Sequence, residues 1–205
     1  MATTVFAFYD IDAAPEHSVA DDLAERLGGV TDVAGFIDGA VFVRSDEAAV
    51  VVQLQYDGGD EWIAQTEVAA ILDAAEWRSR TSETAAYRSV RVFESGGDEP
   101  SDASVFVVQR FAVAPASATA FLSALGAYVE KYPQLVTGFL GATLFASTAA
   151  QGVVLLTAWA YEAGLTALET PASLAAMHSY RDLAERQSFA TYQRVSYLRG
   201  GGVAT

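Results

Sequence analysis

The chain has 205 residues, enough for one medium domain or two small ones with a real apolar core, and its 52% hydrophobic content excludes wholesale disorder. It contains no cysteine, which excludes disulfide frameworks and thiolate metal sites, and its two histidines, His17 and His178, cannot make a three-histidine zinc site. A formal charge of -14 with no Lys/Arg stripe opposes attraction to phosphate backbones, so nucleic acid is not an expected partner.

The chain starts MATTVFAFYDID, with no basic region ahead of an apolar core. No stretch reaches the roughly 18 apolar residues of a spanning helix, so the expectation is a soluble, cytoplasmic protein with no membrane partner, acting on small neutral or apolar molecules. The apolar run VFAFYDID predicts a first strand. Pro15 follows at a turn, then Ala20, Leu23, Ala24 and Leu27 recur at helical spacing and cover one side of a sheet. GFIDGAVFVRS (35–45) and VVVQLQY (50–56) read as a strand pair. EWIAQTEVAAILDAAEWRSR predicts a helix, and AYRSVRVF a terminal strand.

ESGGDEPSDAS, residues 94 to 104, carries glycine, proline and four acids and reads as a linker or as a long surface hairpin. Its acids lack calcium-loop spacing. The order then recurs. SVFVVQRFAV predicts a strand, Pro115 a helix entry, and Phe121, Leu125, Tyr128 and Val129 a helical face. GFLGATLFAST (138–148) and VVLLTAW predict strands, and EAGLTALETPASLAAMHSYRDLAERQ a helix broken at Pro171; TYQRVSYL ends the series as a strand. GGV at 28–30 and the terminal GGGVAT fit no phosphate-loop pattern.

Residues 35–56 lie over 138–159 without a gap at an offset of 138 − 35 = 103, matching Gly35 with Gly138, Phe36 with Phe139, Phe42 with Phe145, and Tyr56 with Trp159 in kind. Chance likeness between two Ala/Val-rich strand pairs is the competing account, and the matching flanks argue against it. The predicted architecture is α+β: two ferredoxin-like βαββαβ units, residues 1–94 and 103–200 joined by 95–102, packed sheet to sheet as a fused pseudo-dimeric barrel. Fusion supplies the partner that one unit would need, so a monomer suffices.

With that repeat, GFLGATLFAST, VVLLTAW and the aromatic terminal strand, the chain resembles the antibiotic biosynthesis monooxygenase family of the dimeric α+β barrel superfamily, in a tandem fused form. The resemblance implies a ligand cleft between sheet and helices. It also implies a cofactor-free oxygenase, without metal or flavin, acting on an aromatic polyketide with molecular oxygen; relatives cyclise polyketides or degrade haem. In the cofactor-free oxygenases an asparagine precedes a strand tryptophan by four residues. Trp159 matches the tryptophan, but Leu155 stands at the asparagine position, and the first half has Val52 and Tyr56 there.

Alternation puts Val153, Leu155, Thr157 and Trp159 on one strand face, with Trp159 either a core indole or a wall that stacks on a flat ligand. Tyr56 has the same two readings. His178 is the candidate general base, against a solvent-facing helix residue. His17 reads as an exposed helix start. Arg110 and Arg194 interrupt apolar strands and need partners, either acidic side chains or a bound phenolate. Alternation groups Arg194 with Tyr192 and separates it from Tyr197. Gln53, Gln55 and Gln109 must satisfy buried amides, as bridges inside the barrel or as a pocket lining. The expected site is Trp159, His178 and Arg194 for catalysis, with Leu155, Thr157, Tyr192, Arg110 and Tyr56 around an apolar or aromatic substrate; oxygenase, cyclase or aromatase, and non-catalytic binder are the competing functions.

Overall fold

A computed structural model describes residues 2–10, 23, 25, 27–44, 49–58, 83–95, 99–101, 104–149, 152–161 and 177–200. Pro15, His17, the second helix of the first half, Pro171 and the terminal GGVAT lie outside them. The strands are β1 (Ala2–Asp10), β2 (Phe36–Arg44), β3 (Ala49–Asp57), β4 (Glu83–Glu94), β5 (Val105–Ala112), β6 (Phe139–Ser147), β7 (Gly152–Trp159) and β8 (Arg186–Arg199). Helices α1 (Ala118–Val129) and α2 (Tyr132–Leu135) stand between β5 and β6. The order of strands and helices is that of the α+β, ferredoxin-like architecture expected from the sequence.

The chain divides into two compact units, Met1–Arg88 with Tyr192–Thr205, and Ser89–Thr191. In the first, β3 runs antiparallel between β1 and β2, and β2 also pairs with β8. Val50, Val52, Leu54 and Tyr56 of β3 share one core with Val5, Ala7, Tyr9, Val41 and Val43 and with Leu23 and Leu27 of the first helical pattern. This is the two-residue period of a strand meeting the four-residue spacing of a helix. In the second unit, β7 lies antiparallel between β5 and β6. Pro115 opens the 3-10 turn Pro115–Ser117 that leads into α1, where its missing N–H costs nothing. The face of α1 made by Phe121, Leu125, Tyr128 and Val129 is buried against the sheet, as its spacing predicts.

The offset of 103 recurs in the backbone. Gly35 and Gly138 have φ of +88° and +85°, a region that favours glycine. Each precedes an equivalent bulge, between Phe36 and Asp38 or between Phe139 and Gly141. Each also accepts an equivalent bond, Asp57 N–H to Gly35 O or Ala160 N–H to Gly138 O, both at 2.7 Å. Phe36 meets Tyr56 at 5.3 Å between ring centroids, and Phe139 meets Trp159 at 5.4 Å, both edge-on.

Candidate functional site

Directly opposed residues in neighbouring strands point to the same face, so the register builds the helix-facing interior of the second unit row by row. Phe139 lies opposite Trp159; Val107, Thr157 and Ala142 form the next row; Gln109, Leu155 and Leu144 form the third. Tyr128, Tyr132 and Tyr180 pack over these rows, and all three are buried. Their rings are contiguous: Trp159 to Tyr132 is 5.7 Å, Tyr132 to Tyr128 5.2 Å and Tyr128 to Tyr180 5.4 Å between centroids.

The Trp159 indole is fully buried and donates Nε1–H to Thr157 Oγ1 at 2.7 Å. Residues two apart on a strand share a face, and that places donor and acceptor together. Leu155 is fully buried on the same face. The polar atom of this region is on the neighbouring strand: Gln109 Oε1 is buried and accepts no hydrogen bond among the described residues. Among the described residues the Tyr128 hydroxyl also makes no hydrogen bond of regular geometry, although it lies close enough to Tyr132 for each to influence the other's ionisation.

Burial pushes the Tyr132 phenol well above its ordinary range, and the neighbouring Tyr128 and Tyr180 push it further. Tyr180 is raised by burial and by Tyr128, partly offset by Arg181. Tyr128 is raised by burial, partly offset by its contact with Tyr132. These phenols therefore stay protonated at neutral pH, each keeping an O–H available to donate in an aromatic interior.

The other residues singled out in the sequence fall elsewhere. His178 is exposed, on the same helical turn as buried Tyr180. Arg110 is half-buried, paired with Val154 and on the opposite face of β5 from Gln109. Tyr56 is buried beside Phe36 in the first unit's core. Tyr192 and Arg194 lie opposite Arg44 and Phe42 of β2, in the first unit.

Alternation misplaces one contact. The Arg194 guanidinium carbon sits 4.9 Å from the Tyr197 ring centroid, although strict alternation separates those residues. Arg194 is registered with Phe42 and Ser196 with Val41, so Val195 is an extra residue, and a bulge breaks the two-residue period.

Gln109 also differs from Gln53 and Gln55. Those two alternate away from the first unit's helix-facing core, whereas Gln109 lies beside Leu155 within the second. The cause is a one-residue slip. Ala7 faces Val52 and Gln109 faces Leu155, an offset of 109 − 7 = 102 in the first strand against 155 − 52 = 103 in its neighbour. A slip of one residue turns a side chain to the other face. The sequence offered a weaker signal for the tyrosines: Tyr128 and Tyr132 are four residues apart, and Met177 and Tyr180 three.

Among the described residues, no group of three or more His, Asp or Glu side chains could hold a metal ion, and no helix is long and apolar enough to cross a membrane. Residues 104–185, which include these three rows and all three tyrosines, match the antibiotic biosynthesis monooxygenase family. The sequence has no significant match among curated proteins. The whole fold is similar to that of an anthrone oxidase-like protein, with 17% identity, 98% of this chain and 94% of that chain covered, and a TM-score of 0.83. A provisionally assigned monooxygenase from Fusobacterium nucleatum superimposes with a TM-score of 0.72 at 12% identity, covering 98% and 96%. A major regulator of staphylococcal pathogenesis shares the fold at 0.61 and 9% identity, covering 95% and 99%. The resemblance drawn from the sequence is borne out by the family match in the second half and by the fold over the whole chain.

Proposed function

We propose that the chain is a monooxygenase working without metal or flavin, and that the helix-facing interior of the second unit receives an aromatic, polyketide-like substrate carrying a phenolic hydroxyl. The observation that carries this reading is Gln109 Oε1, a buried acceptor without a partner among the described residues, in a largely apolar, aromatic interior. Leaving such an atom unsatisfied costs free energy, and a substrate hydroxyl would remove that cost.

Trp159, Tyr132 and Phe139 offer flat apolar surface for stacking, while the protonated phenols can donate hydrogen bonds to a developing phenolate. An electron-rich anion held there would reduce oxygen directly. Written for an anthrone-type methylene, the reaction converts CH2 and O2 into C=O and H2O: one oxygen atom enters the product and the other leaves as water. Leu155 and Thr157 line the interior. His178, Arg194, Tyr192, Arg110 and Tyr56 remain proposed contacts, but their positions lend less support than that of Gln109. As proposed, the enzyme is a tandem repeat that works in the cytoplasm as a folded monomer, on an apolar small molecule and molecular oxygen.

Anthrone supplied to the purified protein, with dissolved oxygen followed, should give one oxygen consumed per product and a large loss of kcat/KM in Gln109→Leu. Product without oxygen uptake would indicate a cyclase or aromatase instead. Binding without turnover would indicate a carrier, the reading favoured by the exposure of His178 and by the Trp159 N–H already committed to Thr157.

A further inference from the structure

The second unit's interior is closed around its tryptophan: Trp159 is 0%, Tyr132 2% and Phe139 5% exposed. Anything that binds there must first move a wall. The strands are held by backbone ladders, with Phe139 in register with Trp159 and Ala160 N–H bonded to Gly138 O at 2.7 Å. At that end of the strand pair lies Tyr161, 45% exposed. Its ring occupies the place where a side chain on Gly138 would begin, 2.8 Å from an ideal Cβ. Its hydroxyl donates to Thr137 Oγ1 at 2.8 Å.

The first unit supplies an internal comparison. Subtracting 103 from 161 and from 137 gives 58 and 34, and those positions are Gly58 and Ala34. Neither member of the hydrogen-bonded pair exists there. Among the described residues, nothing lies within 4 Å of an ideal Cβ on Gly58. The glycine with positive φ, the bulge and the edge-on aromatic pair recur in both units, so the strand end forms without Tyr161 and Thr137. Their contact is an addition to the second unit alone.

We infer that Tyr161 is a gate over the Phe139–Trp159 end of the second unit's interior, held shut by its hydrogen bond to Thr137. Rotation about its side-chain bonds breaks one exposed hydrogen bond and uncovers Gly138 without disturbing a ladder. Glycine at 138 serves both needs: it takes the positive φ of the bulge and leaves room for the ring. This inference rests on the proposed function for what passes the gate, but the gate itself is testable without a substrate.

The Trp159 indole N–H exchanges with solvent only when the interior opens, so its exchange rate by NMR reads the gate. The resonance is assigned by its loss in Trp159→Phe. Tyr161→Phe, which removes only the hydroxyl, should speed exchange roughly threefold to tenfold, the weight of one neutral hydrogen bond. Tyr161→Gly, which copies the first unit, should speed it further, and Gly58→Tyr should leave it unchanged. The inference is overturned if both Tyr161 variants exchange at the wild-type rate, or if the indole quickens only in step with the β7 backbone amides. Should Tyr161→Gly fail to fold, Tyr161→Phe decides alone. Oxygen uptake plays no part in this readout, so the gate and the oxygenase can fail separately.

Discussion

The Trp159–Thr157 hydrogen bond sets a quantitative test of how the second unit's interior is built. Both residues are almost completely buried and the bond is 2.7 Å long, so neither partner has water to fall back on. Thr157→Val keeps the side chain's shape but leaves the indole N–H without an acceptor, at a cost of about 1–3 kcal/mol. Trp159→Phe removes the donor and part of the ring, and combines a similar polar penalty with lost packing, for about 2–4 kcal/mol in total. The double variant leaves no orphaned N–H, so its cost should fall short of the sum of the singles by about 1–2 kcal/mol. Urea unfolding of the four proteins, followed by circular dichroism, measures that coupling; in a chain of this size each kcal/mol also moves Tm by about 2–4 °C. Coupling below about 0.3 kcal/mol, the limit of ordinary additivity, would refute the bond as a stabilising element.

Gly35→Ala and Gly138→Ala each force a Cβ into positive φ and should cost about 1–2 kcal/mol by thermal melting; Gly35→Ala should cost at least as much, because its Cβ meets the Asp57 carbonyl oxygen at 3.0 Å, whereas on Gly138 it meets only the far end of the Tyr161 side chain. Phe139→Ala, which empties the space beside Trp159 and Tyr132, should cost about 3–5 kcal/mol in the same assay. Asp38 has its carboxyl raised by burial, only partly offset by Arg199. A raised carboxyl penalises the fold above its folded pKa and stops doing so below its unfolded value. Asp38→Asn should therefore hold or raise Tm at neutral pH and lose that advantage in acid; a clear loss at neutral pH would show that the Arg199 attraction outweighs burial. The buried tyrosines act with the same sign in a higher pH window. Because the fold keeps Tyr132 and Tyr180 protonated, stability should decline as pH rises above about 10, the unfolded value, and Tyr132→Phe should flatten that decline. Phenolate absorbance appearing for these residues before unfolding would contradict their burial.

The sequence alone determined what depends on neighbours along the chain. The strands of the repeat, the paired Gly35 and Gly138, the α1 face from Phe121 to Val129 and the shared face of Leu155, Thr157 and Trp159 were all legible, because backbone φ and side-chain periodicity are local. The face taken by Gln109 was not: it depends on a one-residue difference between the β1–β3 and β5–β7 registers, set by long-range hydrogen bonds. The Arg194–Tyr197 contact likewise follows from a bulge against β2 that no period along β8 reveals. Tyr128, Tyr132, Trp159 and Tyr180 span more than 50 positions yet form one ring-to-ring series, while His178, two residues from Tyr180, points to solvent. Local pattern says which residues share a face; only the folding of helix onto sheet decides which faces meet, because that choice belongs to contacts between segments far apart in the chain.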